Sequence, residues 1–356
     1  MKYAKDGIIN SFVIDVKDDF GYIRFPYSGK IANRIKAVRP ILNIDSLLKL
    51  KKIYEVKLIA RIVIFKDYKL SSYKNYGILR KGGGLWKDQG GASWCDPYNE
   101  EVWEYNVDIA NEILKLGFDE VQFDYVRFPT DGDIWNCIFL STDHRSKGEV
   151  IADFLKYARK KIKGKLSIDI FGYATWRELK VEGQEVGMMS NYVDYICPML
   201  YPSHFSSRDG SWLPKFLREF WIYYISVERA KKRIKENNNP LCQIVTYIQG
   251  FDWKANHFSP DYLYYQIKGS LLSGSNGFFV WNAKGDYRIT LNALKTWKES
   301  FNKNNNSLLP SVFVNKSIKS GKFVPCNYII SETNFMNNFY KRDNKFIRFF
   351  KSLFGV

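Results

Sequence analysis

The chain has 356 residues, and 54 Lys and Arg against 37 Asp and Glu give a formal charge of +17. Its hydrophobic fraction of 46% is enough for a sizeable core, which excludes a largely disordered chain. No apolar run approaches about 18 residues, so no transmembrane helix is expected.

In chain order, residues 8–16 (IINSFVIDV) read as a buried strand that ends among Asp15, Lys17, Asp18 and Asp19. Residues 43–54 carry Ile44, Leu47, Leu48 and Lys51 at helical spacing. A second strand, 56–65 (VKLIARIVIF), closes on Lys66 and Asp67. A long loop follows with Gly82, Gly83 and Gly84 as plain turn and with Trp86 and Trp94 as candidate substrate walls, since loops of that length are usually functional or disordered. Asp96-Pro97 predicts a helix N-terminus, and Gly117 its C-cap. Residues 120–126 form the third strand, 150–162 a helix, and 166–171 and 192–200 two more strands. A long helix spans roughly 213–236, and strands at 243–248 and 277–281 bring the count to seven. Strands separated by helices predict a parallel sheet of βαβ units.

Lys17, Lys66, Asp124, Gly172, Tyr201, Gln249 and Asn282 fall at or just past strand carboxyl ends, where TIM-barrel enzymes gather their reacting groups. The expected fold is therefore α/β, a (β/α)8 TIM-type barrel with one strand unaccounted for. Residues 1–300 form the barrel, and 301–356 a basic, Asn- and Lys-rich extension with nine Lys/Arg against two acidic residues. That extension suits contact with an anionic surface, although a Lys/Asn-biased composition accounts for it equally. No nucleic-acid module is visible, so no nucleic-acid partner is expected. Five dispersed cysteines without C-x-x-C, and three histidines without H-E-x-x-H, argue against disulfides, a metal or another cofactor. G-x-S-x-G and phosphate-loop motifs are missing too.

Residues 117–129 (GFDEVQFDYVRFP) carry the most chemistry. Strand alternation puts Glu120, Gln122 and Asp124 on the inner side and Val121, Phe123 and Tyr125 on the helix side. Asp124 then stands at the barrel top beside Arg127, an arrangement that suits a nucleophile or an electrostatic stabiliser, or equally a structural ion pair.

With FVIDVKDDFG (12–21), IARIVIFKD (59–67), WCDPY (94–98), GFDEVQFDYVRFP (117–129), SIDIFG (167–172), VDYICPMLYPSHF (193–205) and FVWNA (279–283), the chain resembles a glycoside hydrolase domain family first catalogued as a domain of unknown function and related to amylase-like barrels. The ordered blocks cover roughly residues 8–285. The resemblance implies that the seven strands are barrel strands two to eight, with Asp124 on strand four and Asp169 on strand five. These would be the nucleophile and the acid/base, although amylase-like barrels carry Glu on strand five. Asp15 is the reserve carboxylate. Lys66, Gln122, Arg127 and Tyr201 are candidates to bind sugar hydroxyls or steady the carboxylates. His204 in its post-strand loop and Trp281-Asn282 at the last strand end complete the candidate binding residues.

The expected function is hydrolysis of a poly- or oligosaccharide, with a carbohydrate-binding barrel without activity as the alternative. Residues 1–6 show no signal peptide, so the chain as written stays in the cytoplasm, whereas an upstream signal or anchor would place it in the cell envelope or outside.

Overall fold

The computed structural model describes residues 2–139, 144–213, 216–237, 241–255 and 257–303; the extension beyond 303 lies outside the described residues. Seven strands form one sheet: β1 (Ser11–Lys17), β2 (Lys57–Val63), β3 (Glu120–Asp124), β4 (Lys165–Phe171), β5 (Tyr195–Met199), β6 (Gln243–Gln249) and β7 (Gly277–Trp281). They are ordered as in the chain, and every neighbouring pair is parallel. The sheet curls as a half-barrel, a TIM-type barrel one strand short. Its two edges, β1 and β7, are mostly half-buried, whereas β3 near its centre is buried throughout.

Helices α1 (Ile44–Tyr54), α2 (Glu100–Lys115), α3 (Lys147–Lys161), α4 (Leu217–Glu236) and α5 (Pro260–Leu272) lie in crossovers between strands, the short helix Val186–Ser190 lies in the one between β4 and β5, and α6 (Arg288–Lys303) follows β7. Parallel strands need such connections, and burial on both faces explains the near-continuous apolar runs. Outward residues such as Ile62, Phe123, Ile168 and Ile248 pack with the helices in the main core. Cys197, Tyr201 and Tyr247 form a second, smaller core inside the curl.

Local chemistry sets the helix ends. Asn43 caps α1 through Ser46 N, and Ser146 with Glu149 forms a capping box on α3. The sequence placed the start of α2 at Asp96-Pro97. The cap is instead Asn99, which accepts from Glu101 N, while the Asp96 carboxylate accepts from Tyr98 N in the preceding turn. The loop before α2 also departs from expectation. Trp86 and Trp94 are almost fully buried and donate to Asp133 O and the Asp88 carboxylate, so neither indole is available as a substrate wall.

Strand β1 is tied to the turn after β2 by a buried ion pair. A bulge between Asp15 and Lys17 shifts the register and sets Lys17 level with the outward Ile62, on the helix side near Tyr105. Its ammonium, fully buried, sits 2.7 Å from the equally buried Asp67 and donates to Val63 O at 2.5 Å. Asp67 caps the following turn through Leu70 N. Gly21, at φ +87°, lies so close that a Cβ there would stand 2.0 Å from the Asp67 carboxylate. Removing one partner of such a buried pair leaves an uncompensated charge, at a cost of about 3–5 kcal/mol. Lys17→Met should lower the urea-unfolding free energy by about that amount, and adding Asp67→Asn should recover most of it. Equal loss in the single and double variants would contradict this assignment.

Candidate active site

The carboxyl ends of the strands open on a cleft of about 1940 Å³ that continues between the two sheet edges. Asp15, Asp124 and Asp169 all line it, together with Arg61, Arg127, Tyr201, His204 and Trp281. Its centre is a run of inward side chains on β1 to β4. Asp15 lies in register with Arg61, and Gln122 and Phe123 with Ser167 and Ile168, which sets Asp124 beside Asp169 on the next strand. Neighbouring strands run about 4.8 Å apart, so two inward carboxyls at one level are immediate neighbours.

Arg61 organises these acids, and the sequence reading missed it. Its guanidinium donates to Asp15 at 2.7 Å and to one oxygen of Asp124 through Nε at 2.9 Å and through a second nitrogen. Burial disfavours its charge, yet the carboxyls of Asp124, Asp15 and Asp169 hold its pKa well above the ordinary value. A lone arginine within the apolar run IARIVIF, in register with an inward aspartate, was the available signal.

The other oxygen of Asp124 accepts from Tyr125 N at 2.6 Å. Tyr125 takes φ +52°, a left-handed conformation costly for a residue with a side chain and characteristic of functional turns. That turn ends β3 two residues earlier than the sequence reading and brings Tyr125 to the cleft instead of the helix side. Asp169 differs sharply from Asp124. It is 2% exposed, and its Oδ1 is buried without a hydrogen-bond partner among the described residues. Burial, reinforced by the charge of Asp124 and only partly offset by Arg61, pushes its pKa well above the usual carboxylate value.

The remaining expected site residues divide. Gln122 is fully buried beneath the acids, accepts from the Tyr247 hydroxyl at 2.7 Å and donates to Cys197, which spends its amide inside the barrel. Lys66 pairs with Asp88 at 3.3 Å and Asp19 at 3.9 Å beside the cleft. Asn282 donates to Gly250 O and Asp286 O and accepts from Lys284 N, holding the loop after β7. These three are therefore engaged with the protein itself.

Tyr201, His204 and Trp281 instead form an aromatic wall. Tyr201 stacks on Trp281 at 5.4 Å, and His204 lies 5.3 Å from Trp253. Trp281 and Trp253 are 41% and 48% exposed, which leaves ring face for a ligand. Burial, aided by Lys254, lowers the His204 pKa and favours the neutral ring. Gln249 fixes this wall, accepting from Ser203 N and donating to Phe251 O and Trp253 O. Gln249 stood out in the sequence only as a polar residue at a strand end, and Trp253 not at all, because their roles depend on contacts between separate loops.

Glu120 marks the opposite, lower end of the cleft. Burial pushes its pKa up to about 7, even though Ser167 donates to it at 2.5 Å. The folded state therefore holds a proton that the unfolded chain lacks between roughly pH 4.5 and 7, so stability falls as pH rises through that window. Glu120→Gln should flatten this fall, gaining up to about 3 kcal/mol over wild type at pH 8 and nothing near pH 4. Parallel stability–pH curves for the two proteins would contradict it.

Comparison with known proteins agrees with this architecture. Residues 1–287 match the family model described as "Putative glycosyl hydrolase domain". A hypothetical protein from Ruminiclostridium thermocellum is 39% identical over 45% of this chain and 83% of its own, with a TM-score of 0.43. The PgaB (BpsB) glycoside hydrolase domain from Bordetella bronchiseptica is 12% identical, covering 84% of this chain and 89% of its own at a TM-score of 0.57. The latter likeness shows the barrel fold alone. A search of curated protein sequences finds no match. No helix among the described residues is long and apolar enough to cross a membrane. The chain belongs to the family described as "Putative glycosyl hydrolase domain".

Proposed function

We propose that the chain is a glycoside hydrolase in which Asp124 is the nucleophile and Asp169 the proton donor. The observation that carries this reading is the pairing of two neighbouring inward carboxyls with opposite environments, Asp124 ion-paired to Arg61 and Asp169 buried without a cation of its own. Two carboxyls about 5–5.5 Å apart fit a retaining mechanism, in which one attacks the anomeric carbon while the other protonates the leaving oxygen. Their in-register placement on adjacent strands supports that geometry.

In the first step the Asp169 proton passes to the glycosidic oxygen as Asp124 bonds to the anomeric carbon and the glycosidic C–O bond breaks, releasing the leaving sugar as an alcohol. Asp169, now a carboxylate, takes a proton from water in the second step, and that water displaces Asp124. Arg61 holds Asp124 in place, and the Tyr125 turn fixes its second oxygen. The exposed faces of Trp281 and Trp253 supply stacking for a poly- or oligosaccharide. Residues 1–300 would form the catalytic unit, with the basic extension serving contact with an anionic surface.

A second reading, a sugar-binding barrel without turnover, draws on the 2% exposure of Asp169, which restricts proton delivery to a substrate. Variants separate the two. Asp124→Asn should lower turnover by several orders of magnitude and leave oligosaccharide affinity nearly unchanged, since the lost charge acts mainly in the transition state. Asp169→Asn should slow natural glycosides strongly and aryl glycosides with good leaving groups much less. A polysaccharide and aryl-glycoside panel reads both effects. Sugar binding without turnover by wild type, insensitive to either substitution, would favour the binding barrel.

A further inference from the structure

Arg127 is a buried cation without a counter-ion among the described residues. It is 8% exposed and lines the cleft, three residues beyond Asp124. Its guanidinium lies among three aromatic rings, 4.8 Å from the centroid of Trp94, 5.1 Å from Tyr125 and 4.5 Å from Phe171. One nitrogen donates to Phe128 O at 3.0 Å. A guanidinium carries five N–H donors, so most of its donor capacity has no acceptor among the described residues. No described carboxylate lies within ion-pair distance, and Asp124, Asp131 and Glu182 act on it only at longer range.

The cage is rigid. Trp94 is pinned by its bond to Asp88, Tyr125 by the strained turn that also holds Asp124, and Phe171 by its place at the end of β4. Lys66, the other cation at this wall, has Asp88 and Asp19 for partners and so leaves Arg127 as the group in need of one. Burying an arginine without an anion is costly, and the cost is offset when a ligand supplies the missing charge. Sugar hydroxyls cannot supply it. A planar carboxylate can, because it matches the guanidinium fork with two parallel hydrogen bonds.

We propose that Arg127 forms a subsite for a sugar carboxylate, so that the substrate is a uronic-acid-containing glycan with its acidic residue bound next to Asp124. This inference rests on the hydrolase reading and adds the substrate class to it. Neutralisation of Asp124 by Arg61 removes much of the repulsion that an anionic sugar would otherwise meet there. The chain's +17 charge would also draw a polyanion toward the cleft.

The test compares polygalacturonate and hyaluronan with their carboxyl-reduced forms, measuring binding and turnover by wild type, Arg127→Lys and Arg127→Gln. Wild type should favour at least one acidic polymer over its reduced form by roughly 10- to 100-fold in affinity or KM, the range expected for a charge-assisted pair. Arg127→Gln should bring that ratio close to one, and Arg127→Lys, which keeps the charge and loses the fork, should fall between. Should Arg127→Gln fail to fold, the wild-type ratio and the lysine variant still decide. Wild type binding reduced forms as well as acidic ones, or binding neither, overturns the inference, as does an acid preference that survives Arg127→Gln. Binding with the expected preference but no turnover of any glycan would count against the hydrolase reading and leave the carboxylate subsite standing.

Discussion

One guanidinium serving three carboxyls is the constraint on which this site depends. Arg61 bonds directly to Asp15 and Asp124, and Asp169 receives only its longer-range field. The strand register makes that division inevitable, since Arg61 faces Asp15 across one strand boundary while Asp169 lies beyond Asp124. Of two adjacent carboxyls, one therefore has a cation and the other has burial and a neighbouring negative charge. Such a difference in surroundings is how a pair of chemically identical groups comes to play nucleophile and acid.

The rest of the half-barrel keeps Arg61 and its partners in place. The Lys17–Asp67 pair holds β1 to the turn after β2, and the bulge before Lys17 leaves Asp15 facing Arg61. Gln122 and Tyr247 bridge the interior beneath the acids. The cleft extends along the opening between β1 and β7, and the exposed Trp281 and the caged Arg127 both line it with the acids. The fold thus presents an aromatic surface and a cationic one around the same carboxylate.

Much of this was legible in the sequence because strand alternation and helix spacing are local. The seven strands lie where their β-branched runs predicted, and the inward placement of Asp124 followed from counting by twos, whereas Asp15 and Asp169 came from the family resemblance. The family blocks also gain a physical meaning: FVIDVKDDFG and IARIVIFKD are joined by the Asp15–Arg61 and Lys17–Asp67 pairs and by the close approach of Gly21 to Asp67. What stayed hidden was non-local. Tyr125 broke the alternation through a positive φ that a tyrosine does not advertise. Trp86 and Trp94 looked like loop tryptophans and proved to be core, because distant Asp133 and nearby Asp88 satisfy their indoles. Gln122 read as a cleft residue, yet its partners come from β5 and β6.

The central claim is that the protein keeps Asp169 protonated beside an ion-paired Asp124. Carbon-13 NMR of protein labelled at the aspartate carboxyls, with the Asp169 signal identified by its loss in Asp169→Asn, tests it directly. The account predicts an Asp169 titration midpoint above the ordinary aspartate value, and a lower midpoint once Asp124→Asn removes the adjacent charge. An Asp169 carboxyl that titrates at or below the ordinary aspartate value, indifferent to Asp124, would contradict it.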